Sequence, residues 1–116
     1  MVQMREWEVA VQAARSRKGE DIVVLDIAKV STFTDTFVIC VGTNPRQNQA
    51  VSDAIEMSLK KEGVRPIGIE GYQNAEWILM DYGDFVVHIF SAESRRFYDL
   101  ERLWSKAPRL PIPEAA

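Results

Sequence analysis

The 116-residue chain has a single cysteine and a single histidine, the thiol and imidazole on which zinc sites and nucleophilic triads most often depend. Cys40 has no second thiol to pair with, so no disulfide can form within the chain, which fits a reducing compartment. It lies in the apolar run Phe37-Val38-Ile39-Cys40-Val41, where a thiol behaves as a small buried hydrophobe. His88 has no second histidine or nearby cysteine, so a zinc-type site has no ligand set, and a histidine inside a strand reads as a hydrogen-bonded structural residue. Long apolar runs are missing too: nothing approaches the roughly 20 residues that span a bilayer. The N-terminus carries Glu6 and Glu8 and no apolar signal segment, so a cytoplasmic protein without membrane contact is expected. G-x-G-x-x-G, the Walker pattern and G-x-S-x-G are all absent. Excess positive charge is lacking as well. The formal net charge of −3 argues against sequence-specific nucleic-acid binding and leaves a basic protein as a suitable partner.

What is present fits one globular domain. Nearly half the residues are apolar and about a quarter are charged. A chain of this length buries roughly two-thirds of its unfolded surface, enough for a core without disulfides or metals. The expected domain covers residues 1–107, followed by a proline-rich tail over 108–116 that cannot hold a helix and should be extended or disordered.

Met4, Trp7, Val11 and Ala14 share one helical stripe, which could pack across a two-fold axis of a homodimer. Arg15, Arg17 and Lys18 close that helix by complementing its dipole, with Gly19 as the stop. Ile22 to Leu25 and Thr34 to Val41 read as strands. Asn44, Pro45 and Gln47 then open the best-signalled helix, with Asn44 as cap and Gln47 reaching back in a capping box. Gly42-Thr43-Asn44-Pro45 also resembles a phosphate-receiving helix start, but Pro45 removes a donor and capping suffices. Val51, Ala54, Ile55 and Leu59 are the buried stripe of this helix, and Gly63 its end. Three short strands follow, around Pro66–Ile69, Trp77–Met80 and Phe85–Phe90, then helical periodicity from Ser91 to Trp104 with a break near Asp99. The order α-β-β-α-β-β-β-α implies an α/β fold with a mixed sheet of about five strands packed with helices.

The stretch from Trp77 to Phe90 is the most informative. A strand with one wet face should alternate apolar and polar residues, yet Trp77, Ile78, Leu79 and Met80 are apolar on both faces. The strand is therefore central and covered twice, or one face waits for a partner. Tyr72, Trp77, Tyr82, Phe97, Tyr98 and Trp104 crowd the last third of the chain, and tryptophan and tyrosine are common interface anchors. Asp81 and Asp84 flank one turn, where a magnesium ion is conceivable, although Asp and Gly belong in turns for backbone reasons.

Taken together, several blocks resemble the ribosomal silencing factor, or Iojap, family. They are Asp21-Ile22-Val23-Val24-Leu25-Asp26, Thr34-Asp35-Thr36-Phe37-Val38-Ile39, Ile69-Glu70-Gly71-Tyr72, Trp77, Asp81-Tyr82-Gly83-Asp84, Val86-Val87-His88-Ile89-Phe90 and Phe97-Tyr98-Asp99-Leu100-Glu101-Arg102-Leu103-Trp104. They run in unbroken order over roughly residues 5 to 108. Thr36 stands where many members have tyrosine, and Ser91 where many have histidine. The resemblance implies a nucleotidyltransferase-like α/β sandwich that binds the large ribosomal subunit through its protein fourteen. Such a factor blocks joining of the small subunit and represses translation when nutrients are scarce. It also implies a possible homodimer, a part in large-subunit maturation, and docking through Trp77 and its strand.

The expected partner surface is Trp77, Ile78, Leu79, Met80, Asp81 and Tyr82, with Glu70 and Asp84 adding charge. No enzyme activity and no cofactor are expected. The alternative is a small nucleotidyltransferase-type enzyme holding a metal with Asp81, Asp84 or Asp35, which fold alone does not establish.

Overall fold

The computed structural model describes residues 4–112. Its elements are α1 (Glu6–Ser16), β1 (Glu20–Asp26), β2 (Thr36–Gly42), α2 (Pro45–Lys61), β3 (Gly68–Glu70), β4 (Trp77–Asp81), β5 (Phe85–Ser91), α3 (Ala92–Tyr98) and α4 (Leu100–Leu103). The five strands form one sheet in the order β1-β2-β5-β4-β3. β2 and β5 pair in parallel and the other neighbours are antiparallel, so the sheet is mixed, as expected.

The two central strands explain the layering. Every residue of β2 is buried, and β5 is buried from Phe85 to Phe90. Strands apolar on both faces require both faces to be covered. On one face α1 and α2 pack Trp7, Val11, Val51, Ile55 and Leu59 against Val24, Val38, Cys40, Val87, Ile89, Ile78 and Met80. On the other, Leu100, Trp104 and Ala107 cover Leu25, Phe37, Ile39, Val86 and Phe90.

The helix ends follow local chemistry, with two departures. Asn44 accepts the Gln47 backbone N–H at 2.8 Å, as a cap should. The Gln47 side chain reaches back one residue further than a capping box requires and accepts the Thr43 N–H at 2.6 Å. Gln47 also donates to the carbonyls of Arg17 and Lys18, tying the start of α2 to the end of α1. In α1 the left-handed residue is Lys18 rather than Gly19, whose N–H instead bonds the Ala14 carbonyl at 2.8 Å. The expected two-fold face fails for a packing reason. Trp7 and Val11 are already buried within the same chain, so a dimer would need another surface.

Residues 108–112, read as a tail beyond the domain, run along the free edge of β1. Asp26 N–H donates to the Pro108 carbonyl and Leu110 N–H to the Val24 carbonyl, each at 2.8 Å. Leu110 and Ile112 pack against the helix-side core. This short extended segment covers an edge that would otherwise offer unpaired groups to another chain. The remaining residues of the expected tail, 113–116, lie outside the described residues. Deleting residues 108–116 is expected to destabilise the fold by about 2–4 kcal/mol, from two lost backbone hydrogen bonds and two aliphatic contacts. Urea unfolding measures this; an unchanged midpoint would contradict the edge's structural role.

Candidate functional site

Strand β4 enters the sheet from a closely fitted loop. Gly71 has φ of +78°, and a side-chain carbon there would sit 2.1 Å from the Trp77 carbonyl oxygen, so only glycine lets the loop pass the strand's first residue. The Ala75 N–H closes onto the Gly71 carbonyl at 2.9 Å. Asn48 of α2 reaches under the loop and donates from Nδ2 to the Ala75 carbonyl at 2.7 Å. Ala75 is fully buried, although Asn74 and Glu76 on either side of it are exposed. Tyr72, also outside the sheet, donates its hydroxyl to Asp53 at 3.0 Å, and that bond raises its pKa.

The register of β4 resolves its doubly apolar sequence. It lies between β5 and β3, with Trp77 opposite Phe90, Leu79 opposite His88 and Asp81 opposite Val86. Ile78 and Met80 point to the helices and are fully buried. They offer no atoms to a partner, and their place in the expected docking surface is overturned by that burial. Tyr82 is also buried, stacked on Phe85 with ring centroids 4.8 Å apart, and does not line a surface. Burial, with Glu56 adding, pushes its hydroxyl up to about 12. Trp77 and Leu79 remain half-buried on the opposite face, joined by Asp81 and by exposed Glu70, which pairs with Leu79 from β3. Asp84 is exposed in the β4–β5 turn, at the strand end opposite Trp77.

Trp77 is held by a run of rings across this face. Its indole Nε1–H donates to His88 Nδ1 at 3.0 Å. Its ring lies 5.1 Å from Phe90 and 4.5 Å from Tyr98 of α3, between centroids. His88 in turn meets Phe37 edge to face at 4.6 Å. The structural reading of His88 holds, and Trp77 is its partner. Burial alone lowers the His88 pKa to about 4, so the ring is neutral at pH 7. Cys40 is likewise inert: buried in β2, its thiol is pushed up to about 12.

The cover over this face thins beyond β5. Leu100 and Trp104 pack inward, but Phe97 is 79 % exposed, Tyr98 47 % and Leu103 72 %. The spacing Phe97, Leu100, Trp104 suggests a single helical stripe. Asp99 breaks it, taking φ of +45° between α3 and α4, and Phe97 is left facing solvent. Phe97 meets Tyr98 edge to face at 5.0 Å, so exposed aromatic surface runs from α3 to Trp77. In the sequence Tyr98 and Phe97 belong to an aromatic cluster next to the expected break at Asp99; that the break turns Phe97 to solvent is given only by the fold.

The carboxylates of the alternative reading are not assembled into one site. Asp81 Oδ1 accepts the Gly83 N–H at 2.8 Å, the backbone role that a turn aspartate usually plays. Asp35 and Asp84 are neighbours, with the Asp35 N–H bonded to the Asp84 carbonyl at 3.0 Å, and they line a shallow cleft with Glu6 and Thr36. Among the described residues no group of three or more His, Cys, Asp or Glu side chains stands ready to hold a metal. No helix among them is long and apolar enough to cross a membrane.

Fold and surface define a small mixed-sheet α/β protein that leaves an aromatic sheet face partly uncovered. The family model described as ribosomal silencing factor during starvation matches residues 3–116. A ribosomal silencing factor of Halalkalibacterium halodurans is 36 % identical over 90 % of each chain. A mouse protein named for mitochondrial assembly of the ribosomal large subunit is 31 % identical over 84 % of this chain and 44 % of its own length. A crystal structure of a Chromobacterium violaceum protein superposes with a TM-score of 0.83 at 33 % identity, covering 97 % of this chain and 96 % of that one. The chain belongs to the ribosomal silencing factor family.

The lowered His88 pKa gives stability a pH dependence of definite sign. The unfolded chain takes up a proton near the ordinary value of 6.5, whereas the folded one resists until about 4. Stability is therefore highest above pH 6.5 and falls as the pH drops towards 4, by up to about 3 kcal/mol from this residue. Urea unfolding between pH 7 and 4.5 should show this slope, and a His88→Asn chain should lose its share; identical slopes would contradict the assignment.

Proposed function

We propose that the chain docks on the large ribosomal subunit through the face carrying Trp77 and Leu79, against the large-subunit protein fourteen, and thereby blocks joining of the small subunit. Family membership supports the ribosomal setting. The observation that carries the docking site is the half-buried pair Trp77 and Leu79 on a sheet face left open beside exposed Tyr98 and Phe97. Aromatic anchors of this kind supply affinity when desolvated, and Glu70 and Asp81 beside them suit a basic ribosomal surface and speed encounter. The action is steric. A bound obstacle suffices to repress translation under nutrient limitation, and no turnover is required. The compartment is the cytoplasm in which ribosomes are joined.

A second reading, assistance in large-subunit maturation, is favoured by the mouse relative named for large-subunit assembly. It uses the same docking face. Accumulation of incomplete large subunits in cells lacking the protein would support it.

Two variants test the face. Trp77→Ala removes the anchor but also strips His88 of its donor, so it weakens the fold as well as the surface. Leu79→Lys leaves that hydrogen bond in place, removes the packing of Leu79 on the sheet-face core, and sets a positive charge against a basic partner. Each is expected to weaken large-subunit binding by about 2 kcal/mol or more, roughly 30-fold. Sedimentation of isolated subunits reads this out. Comigration of folded variants to the same extent as the parent would reject the docking face.

A further inference from the structure

We propose that His88 is a positioning residue for docking: its Nδ1 captures the Trp77 indole N–H and fixes the ring in the orientation that meets the partner. The inference rests on the docking face proposed above. It extends that face to a residue that is buried and cannot itself touch a partner.

The geometry is specific. A tryptophan at a surface usually keeps its N–H towards water or a partner acceptor. Here the N–H is turned inward and satisfied within the chain at 3.0 Å. The ring therefore offers only apolar surface outward, and docking need not desolvate or re-pair an indole donor. Because Nδ1 accepts, the proton of the neutral imidazole resides on Nε2. Nε2 is buried and has no oxygen or nitrogen partner in the structure. The imidazole has Phe37 edge to face at 4.6 Å and stacks towards Phe90 at 6.0 Å. An orphaned buried N–H costs free energy. The other nitrogen offsets that cost: among the described residues it is the side-chain acceptor that the Trp77 indole N–H meets.

Without that acceptor the indole would have an unpartnered donor on its packed side. The ring would gain from turning its N–H to water, and the orientation would have to be restored on binding. Immobilising one such side chain weakens affinity by about threefold to tenfold.

Two measurements test the proposal. In the 15N-labelled native chain, a coupling across the hydrogen bond between Trp77 Nε1 and His88 Nδ1, with His88 protonated on Nε2, is expected. A His88 protonated on Nδ1 would overturn the proposal without any variant being made. Binding to purified large subunits is then compared for His88→Asn and His88→Leu. These replacements are similar in shape, and the Asn carbonyl can stand where Nδ1 stands. The expected result is a threefold to tenfold loss for His88→Leu and substantial recovery for His88→Asn at comparable folded fraction. Equal binding of both with the parent, while Leu79→Lys fails to bind, would overturn the role of His88 and leave the docking face standing. Undiminished binding by Leu79→Lys would instead reject the docking face and this proposal with it.

Discussion

The parallel pairing of β2 with β5 is the constraint on which the rest of the structure depends. Two neighbouring strands buried along both faces, with Thr36 and His88 their only polar residues among the buried positions, cannot sit at the surface of a sheet. They oblige the chain to supply two layers of cover. The long crossover from β2 to β5 supplies one of them, since it contains α2, and α1 packs beside it. The second layer is left to the short C-terminal helices and the residues after them, which are too few to cover a five-stranded sheet. Their cover ends over β5, and the outer strands β4 and β3 keep a face that is only partly protected. The exposed aromatic surface follows from this shortage of chain.

Within that uncovered region the polar atoms are disposed economically. Trp77 presents its ring while its N–H is bonded inward. The loop that delivers it is held by a buried amide from α2, and Gly71 allows the close pass over its carbonyl. The surface is therefore built on supported elements rather than on a free loop, a property that reduces the ordering cost of association. The acidic residues divide into two sets. Glu70 and Asp81 lie on the aromatic face, Glu70 opposite Leu79 and Asp81 at the end of β4 away from Trp77, whereas Asp84 and Asp35 line the cleft beside Glu6 of α1. Of these carboxylates, Glu70 and Asp81 share the face of Trp77 and Leu79.

Much of this was legible in local sequence. Asn44 and Pro45 marked the start of α2, the stripe Val51, Ile55 and Leu59 its buried side, and the break at Asp99 the division of the last helix. These features depend on residues a few positions apart. The ordered family blocks, from Asp21 to Trp104, carried the family assignment. What local sequence did not carry was the orientation of β4. Trp77, Ile78, Leu79 and Met80 are all apolar, so alternation gives no inside and outside; the answer comes from register against β5, a long-range pairing. The same holds for Ala75, which is buried because Asn48 binds its carbonyl across 27 residues. It holds again for residues 108–112, which local sequence left as extended or disordered and whose place on β1 depends on an edge formed far earlier in the chain. The inward role of His88 lies between the two cases: its strand setting suggested a bonded residue, and only the folded sheet shows that the bond is to Trp77.

The central claim is that the Trp77 face meets the ribosome, and proximity is its most direct test. A photo-crosslinking phenylalanine derivative would replace Phe97, which is exposed beside Tyr98, itself packed on Trp77, and separately Met57, which is exposed on α2 behind the sheet. Each protein would be illuminated on purified large subunits. The account predicts a crosslink to the large-subunit protein fourteen from position 97 and none from position 57. A crosslink to that protein from position 57 alone would contradict it, because the helix face would then be the side that docks.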